Sequence, residues 1–129
     1  MKKTILIVDD NVMMQKFLQQ FLQEKYDVVT KSDGMLALAW IEEGNIPDII
    51  ISDFDMPGYN GLELIKSIRI STIYSHIPMI ILSGNEKSEF RIECLRQGAD
   101  DYILKPFNPE ELIIRIEKNL AQTYEKYKG

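Results

Sequence analysis

Apolar positions along the chain fall into two kinds of run. Short, unbroken runs rich in β-branched residues occur at Thr4–Val8, Asp27–Thr30, Asp48–Ser52, Pro78–Leu82 and Asp101–Leu104, and these predict five strands. The longer stretches between them show helical spacing. Met14, Phe17, Leu18, Phe21 and Leu22 sit at offsets 0, 3, 4, 7 and 8, and Leu112, Ile113, Ile116 and Leu120 at 0, 1, 4 and 8, so each set makes one apolar helical face. Three further helices are expected over Gly34–Glu43, Gly61–Arg69 and about Lys87–Gln97. Runs such as Ile49-Ile50-Ile51 lack apolar-polar alternation, as strands covered by helices on both faces do. Strand followed by helix, five times over, predicts an α/β fold with a single doubly wound five-stranded parallel sheet. Breakers punctuate the junctions at Pro57, Gly58, Gly61, Gly84, Gly98, Pro106 and Pro109.

Composition narrows the function. The chain has 129 residues, 45% hydrophobic and 27% charged, with 15 basic against 20 acidic residues and a net charge of -5. That length suits one domain, expected over residues 1–122, with a polar C-terminal tail or the start of a linker over 123–129; Ala121–Gly129 is polar enough to fray. The acidic balance argues against a direct nucleic-acid ligand, which would need clustered Lys and Arg. A lone Cys94 cannot form an internal disulfide. The apolar stretch Ile5–Val8 is too short for a signal peptide or a membrane span, so a soluble cytoplasmic protein is expected. His76 reads as a surface residue, and Cys94, Met13, Met14 and Trp40 as packing residues.

Candidate chemistry gathers at one sheet edge, because ligands of open parallel sheets bind beyond the carboxyl ends of the strands. Asp9 and Asp10 follow the first strand, Asp53 and Asp55 the third, Ser83 and Gly84 the fourth, and Lys105-Pro106 the fifth. A single Asp after a strand is an ordinary helix cap or turn residue. Several carboxylates in one pocket repel one another unless a cation is present, and an oxygen-rich cluster suits Mg²⁺. The first strand-helix turn is Asp9-Asp10-Asn11-Val12 rather than a glycine-rich phosphate cradle, which argues against a nucleotide or flavin. A carboxylate nucleophile, a cation, a lysine and a hydroxyl are the parts that phosphoryl transfer uses.

Four segments together resemble the receiver domain of bacterial two-component response regulators. They are Ile5-Leu6-Ile7-Val8-Asp9-Asp10-Asn11, Asp53 with Met56-Pro57 and Gly61, Ile81-Leu82-Ser83-Gly84, and Gly98-Ala99-Asp100-Asp101-Tyr102 leading to Lys105-Pro106-Phe107. The resemblance implies a flavodoxin-like (βα)5 fold in which Asp53 accepts a phosphoryl group from a phosphohistidine on a sensor histidine kinase or phosphotransfer protein. It implies Mg²⁺ held by Asp10, Asp53, the Asp55 backbone carbonyl and, through water, Asp9. Lys105 would pair with a phosphoryl oxygen, the peptide before Pro106 would be cis, and Ser83 and Tyr102 would form the switch that reshapes the surface of the fourth helix, fifth strand and fifth helix. Asp55 departs from the usual pattern, and a carboxylate there would repel incoming hydroxide or orient an attacking water.

Arg91–Arg115 resembles the subfamily with winged-helix outputs, whose receivers dimerise when phosphorylated. The matching positions are Ile92, Leu95 and Ile113 for an apolar patch, with ion pairs Arg91–Glu111 and Asp100–Arg115. Asp101 would seek a base near the end of the last helix, meets Gln122, and has Lys118 as a substitute. That resemblance favours a receiver cut from a longer protein over a stand-alone regulator that binds a partner. Two other readings stay open. Asp53-Phe54-Asp55 is similar to the motif of haloacid-dehalogenase-type phosphatases, although Lys105 follows rather than precedes Asp100 and Asp101. The chain also reads as a degenerate receiver that serves only as a binding module.

Overall fold

The computed structural model describes residues 1–128, and side chains as far as Thr123. Five strands, β1 (Lys3–Val8), β2 (Tyr26–Lys31), β3 (Ile49–Asp53), β4 (Met79–Ser83) and β5 (Asp101–Leu104), alternate with α1 (Val12–Leu22), α2 (Gly34–Glu42), α3 (Gly61–Arg69), α4 (Ser88–Gln97) and α5 (Pro109–Lys128). The strands form one parallel sheet in the order β2-β1-β3-β4-β5. Helices cover both faces. Leu6, Val8, Ile50 and Ile81 point to one side, against Ala37 and Ile41 of α2, Leu64, Ile65 and Ile68 of α3 and Cys94 of α4. Their sheet neighbours Ile5, Ile7, Ile49, Ile51, Ile80 and Leu82 point to the other, against Leu18 and Leu22 of α1 and Leu112 and Ile116 of α5. Each of these fully buried Leu and Ile side chains contributes roughly 1.5–3 kcal/mol relative to exposure.

Local chemistry explains where helices begin. Asn11 and Asp33 cap α1 and α2 by accepting from Met14 and Leu36 backbone N–H groups, and Asn60 with Glu63 makes a reciprocal capping box on α3. Two glycines are demanded by geometry. Gly98 ends α4 in the left-handed region at φ 119°. Gly61 starts α3 so close to the end of β3 that a Cβ would sit 2.9 Å from the Asp53 carbonyl oxygen.

The elements match the sequence pattern in type and order. Asp53 and Ser83 are the last residues of β3 and β4, paired in register with Leu82 and Leu104, rather than loop residues. The tail expected over 123–129 is helical as far as Lys128; Ala121 and Gln122, which lead into it, are good helix formers. Side chains beyond Thr123, and Gly129, lie outside the described residues. Met13 does not pack as expected, being 77% exposed. Among the described residues no helix is long and apolar enough to cross a membrane.

Candidate functional site

The switch in strand order lies between β1 and β3, which are neighbours in the sheet although β2 follows β1 in the chain. The carboxyl ends of β1, β3 and β5 therefore bring Asp9, Asp10, Asp53 and Lys105 together. Asp53 is 5% exposed and Asp9 1%, while Asp10 is open to solvent. One oxygen from each of the three carboxylates lies within 4.8 Å of the others. The Lys105 Nζ donates to Asp53 Oδ1 at 2.9 Å and lies 3.9 Å from Asp9 Oδ2. The Lys105–Pro106 peptide is cis.

Asp9 shows the stress of this gathering. Its Oδ1 accepts the Asn11 N–H at 2.8 Å, but its Oδ2 is buried without a hydrogen-bond partner. Burial first, and the charge of Asp53 second among the raising influences, push its carboxyl above the ordinary range, against the lowering effects of the Asn11 N–H and Lys105. An orphaned buried carboxylate oxygen beside two further carboxylates is a donor set for a small hard divalent cation, which offsets the mutual repulsion and satisfies the lone pair. The residues fit such an ion.

The rest of the site hangs on β3 to β5. Asp55 is exposed at the mouth, and its N–H donates to Asp53 Oδ1 at 3.4 Å. Ser83 is fully buried, and its Oγ accepts the Asn85 N–H at 3.0 Å. The Tyr102 hydroxyl donates to the Asn85 carbonyl at 2.9 Å. Ser83 and Tyr102 thus grip one short loop from both sides. Burial raises the Tyr102 phenol above its usual value, with the Ser83 hydroxyl opposing, so Tyr102 stays neutral and able to donate at neutral pH. Asn85 was not singled out by sequence reasoning; its only signal is its place two residues after Ser83.

On the α4–β5–α5 face, Ile92 and Leu95 are exposed and Ile113 is half-buried. Arg91, Tyr102, Glu111 and Arg115 line one groove of about 330 Å³. The pairs read in the sequence join two copies; within one chain the same charges have other partners. Asp100 Oδ2 is held within the chain, accepting from Arg69 Nη2 and the Met79 N–H, both at 2.8 Å. Within the chain, Asp101 accepts from Arg115 Nη1 at 2.7 Å, with Asn119 nearby. Arg115 also lies 3.5 Å from Glu111. Tertiary packing decides this, since the end of α3 reaches the α4–β5 turn and only the fold places Arg69 there.

Known proteins share this layout. The family model described as the response regulator receiver domain matches residues 5–117. The phosphate regulon transcriptional regulatory protein PhoB of Pseudomonas aeruginosa is 35% identical over 122 residues, 94% of this chain and 53% of that protein. The hybrid signal transduction histidine kinase D of Dictyostelium discoideum is 34% identical over 115 residues, 89% of this chain and 7% of the kinase. The chain thus spans about half or less of the curated relatives it matches here. Among solved structures, the receiver domain of Francisella response regulator 1452 superposes with a TM-score of 0.85 at 34% identity, covering 95% of this chain and 99% of that one.

Proposed function

The chain belongs to the response regulator receiver domain family, and we propose that Asp53 is its phosphoacceptor, taking a phosphoryl group from a phosphohistidine on a sensor histidine kinase or phosphotransfer protein. The observation that carries this is the buried Asp53 carboxylate with Lys105 Nζ at 2.9 Å and the orphaned Asp9 oxygen beside it. An Asp53 carboxylate oxygen attacks phosphorus in line as the phosphorus–nitrogen bond breaks. The bonding pair stays on the departing imidazole nitrogen, and an acyl phosphate forms on Asp53. Lys105 holds a phosphoryl oxygen as it leaves the ion pair. Asp9, Asp10 and Asp53 with the Asp55 backbone carbonyl would hold Mg²⁺, which supplies charge neutralisation to the phosphoryl oxygens when bound.

Ser83 has its hydroxyl at the end of β4, next to Asp53 at the end of β3, and donates to the new phosphoryl group. Its movement is felt at once by Asn85, which it holds, and through Asn85 by Tyr102. The consequence is a changed α4–β5–α5 surface. Val12, Met13 and Phe17 leave α1 apolar and exposed beside Asp10, which supports docking of the donor's helix next to the acceptor. The chain catalyses its own phosphorylation and dephosphorylation and no other turnover.

Incubation with acetyl phosphate or phosphoramidate and Mg²⁺, followed by intact-protein mass spectrometry, tests this. A single phosphoryl adduct absent from Asp53→Asn is the expected result. Turnover of general phosphate esters supports a phosphatase instead, and no adduct supports a binding module.

A second reading concerns output. The exposed Ile92 and Leu95 beside a groove walled by Tyr102 favour a phosphorylation-dependent homodimer through Arg91, Ile92, Leu95, Glu111, Ile113 and Arg115. Asp100 joins it only by sharing its carboxylate with Arg69. Sedimentation with a phosphoryl mimic checks this, and a strict monomer at tens of micromolar protein sinks it.

A further inference from the structure

A second groove opens on the opposite flank of α4. Phe54, Leu62, Glu89, Phe90 and Glu93 line a cleft of about 320 Å³ between α3 and the start of α4. At roughly 100° per helical residue, Phe90 lies about 160° from Ile92 and 140° from Leu95 around α4, so this cleft is not part of the α4–β5–α5 face. Its floor is aromatic. The Phe54 and Phe90 rings meet edge to face, with centroids 5.7 Å apart at 86°, while Phe90 remains 36% exposed. An aromatic ring held in a defined geometry yet half open to water is a preformed apolar seat. The cleft has the volume of the smallest ligand sites, which run from about 300 Å³, enough for one bulky side chain rather than a cofactor.

Charge selects what enters. The lining residues include two carboxylates and no base: Glu89 and Glu93, one turn apart on α4. Glu93 already accepts from Gln97 Nε2 at 3.0 Å and lies 3.5 Å from Arg96 Nη1. Glu89 stands in the first turn of α4, where the helix dipole favours its charge, and it is exposed at the rim. Lys66, one turn beyond Leu62 on α3, is not among the lining residues. An apolar floor with an acidic rim complements an aromatic side chain next to lysine or arginine.

We propose that the α3–α4 cleft docks a basic peptide segment of a partner protein, anchored by one aromatic side chain against Phe54 and Phe90 and by a neighbouring cation against Glu89. The proposal goes beyond the phosphoacceptor reading and stands without it, since it needs no phosphoryl group. The test uses the unphosphorylated full chain, a five-residue peptide with a central tryptophan flanked by lysines, and two counterparts with the lysines replaced by glutamate or the tryptophan by alanine. Binding is followed by amide shifts in heteronuclear NMR and by calorimetry. The expected result is saturable shifts centred on Phe54, Leu62, Glu89 and Phe90 with the first peptide, and at least tenfold weaker binding of both counterparts. Glu89→Lys and Phe90→Ala, both exposed positions that leave the core intact, lower affinity at least fivefold. Equal binding of the glutamate peptide, unchanged affinity in both variants, shifts centred on Ile92 and Leu95, or no saturable binding overturns the proposal.

Discussion

Replacing Asp9 by Asn should make the metal-free protein more stable while weakening its response to Mg²⁺. One oxygen each of Asp9, Asp10 and Asp53 lies within 4.8 Å of the others, so at an effective dielectric of about 20 each like-charge pair costs at least about 3 kcal/mol. Lys105 at 3.9 Å from Asp9 returns about 4 kcal/mol on the same scale. Two repulsions against one attraction leave a net cost, and the exposure of Asp10 reduces it by screening. Relief of about 1–2 kcal/mol remains. Asparagine keeps the acceptor for the Asn11 N–H, so the loop geometry is retained.

For a domain of this size that relief raises the melting temperature by roughly 3–8 °C. Urea and thermal unfolding followed by circular dichroism, in chelator and in saturating Mg²⁺, measure it. The wild type should gain about 2.7 kcal/mol at a hundredfold excess of ion over its dissociation constant, and the variant much less. The pH dependence follows from Asp9, whose carboxyl is raised by burial. In metal-free buffer the folded state binds this proton more tightly than the unfolded chain, so the wild-type penalty is present at neutral pH. It is relieved as pH falls through the raised value, and the gap between variant and wild type closes. A variant no more stable than wild type in chelator would refute the reasoning.

Other outcomes follow from named contacts. Arg69→Met removes a side chain that donates to the Gly98, Ser75 and Ile77 carbonyls and to Asp100; it should cost about 3 kcal/mol in urea unfolding, and a loss within error of zero would show the clamp to be idle. Cys94 is fully buried, with burial pushing its thiol up to about 11. It should react with a disulfide reagent at mildly alkaline pH only in denaturant, and fast labelling of the native chain would contradict that. Asp55→Asn should change the lifetime of the phosphorylated state, shortening it where the exposed carboxylate at the mouth repels hydroxide and lengthening it where that carboxylate orients an attacking water. An unchanged decay rate discards the role.

Much of the architecture was legible because its causes are local. The unbroken apolar strands and the 3.6-residue stripes of α1 and α5 record which faces are buried, and burial on both faces leaves a parallel sheet as the outcome. The same logic located the site, since residues at strand ends must gather at one edge. Asp9, Asp10, Asp53, Asp55, Ser83 and Lys105 could therefore be singled out before any distance was known, whereas Tyr102, inside β5, came only with the resemblance to the receiver family. At the C-terminus polarity does not separate a helix from a frayed tail, since the two share a composition. Periodicity misled at Met13, whose helical spacing with apolar neighbours does not make it inward-facing.

What the chain alone determined was the periodicity, the caps and the chemistry available at each strand end, all set within a few residues. Only the tertiary structure decided which charges meet. Arg69 ends α3 and Asp100 lies in the turn before β5, with β4 and α4 between them in the chain, yet they share a hydrogen bond, and Arg115 turns to Asp101 across the β5–α5 packing. The orphaned oxygen of Asp9 and the edge-to-face seat of Phe54 and Phe90 are likewise products of packing. Periodicity says which way a side chain faces, whereas its partner depends on helices and strands distant in the chain being pressed together at a spacing that no local pattern encodes.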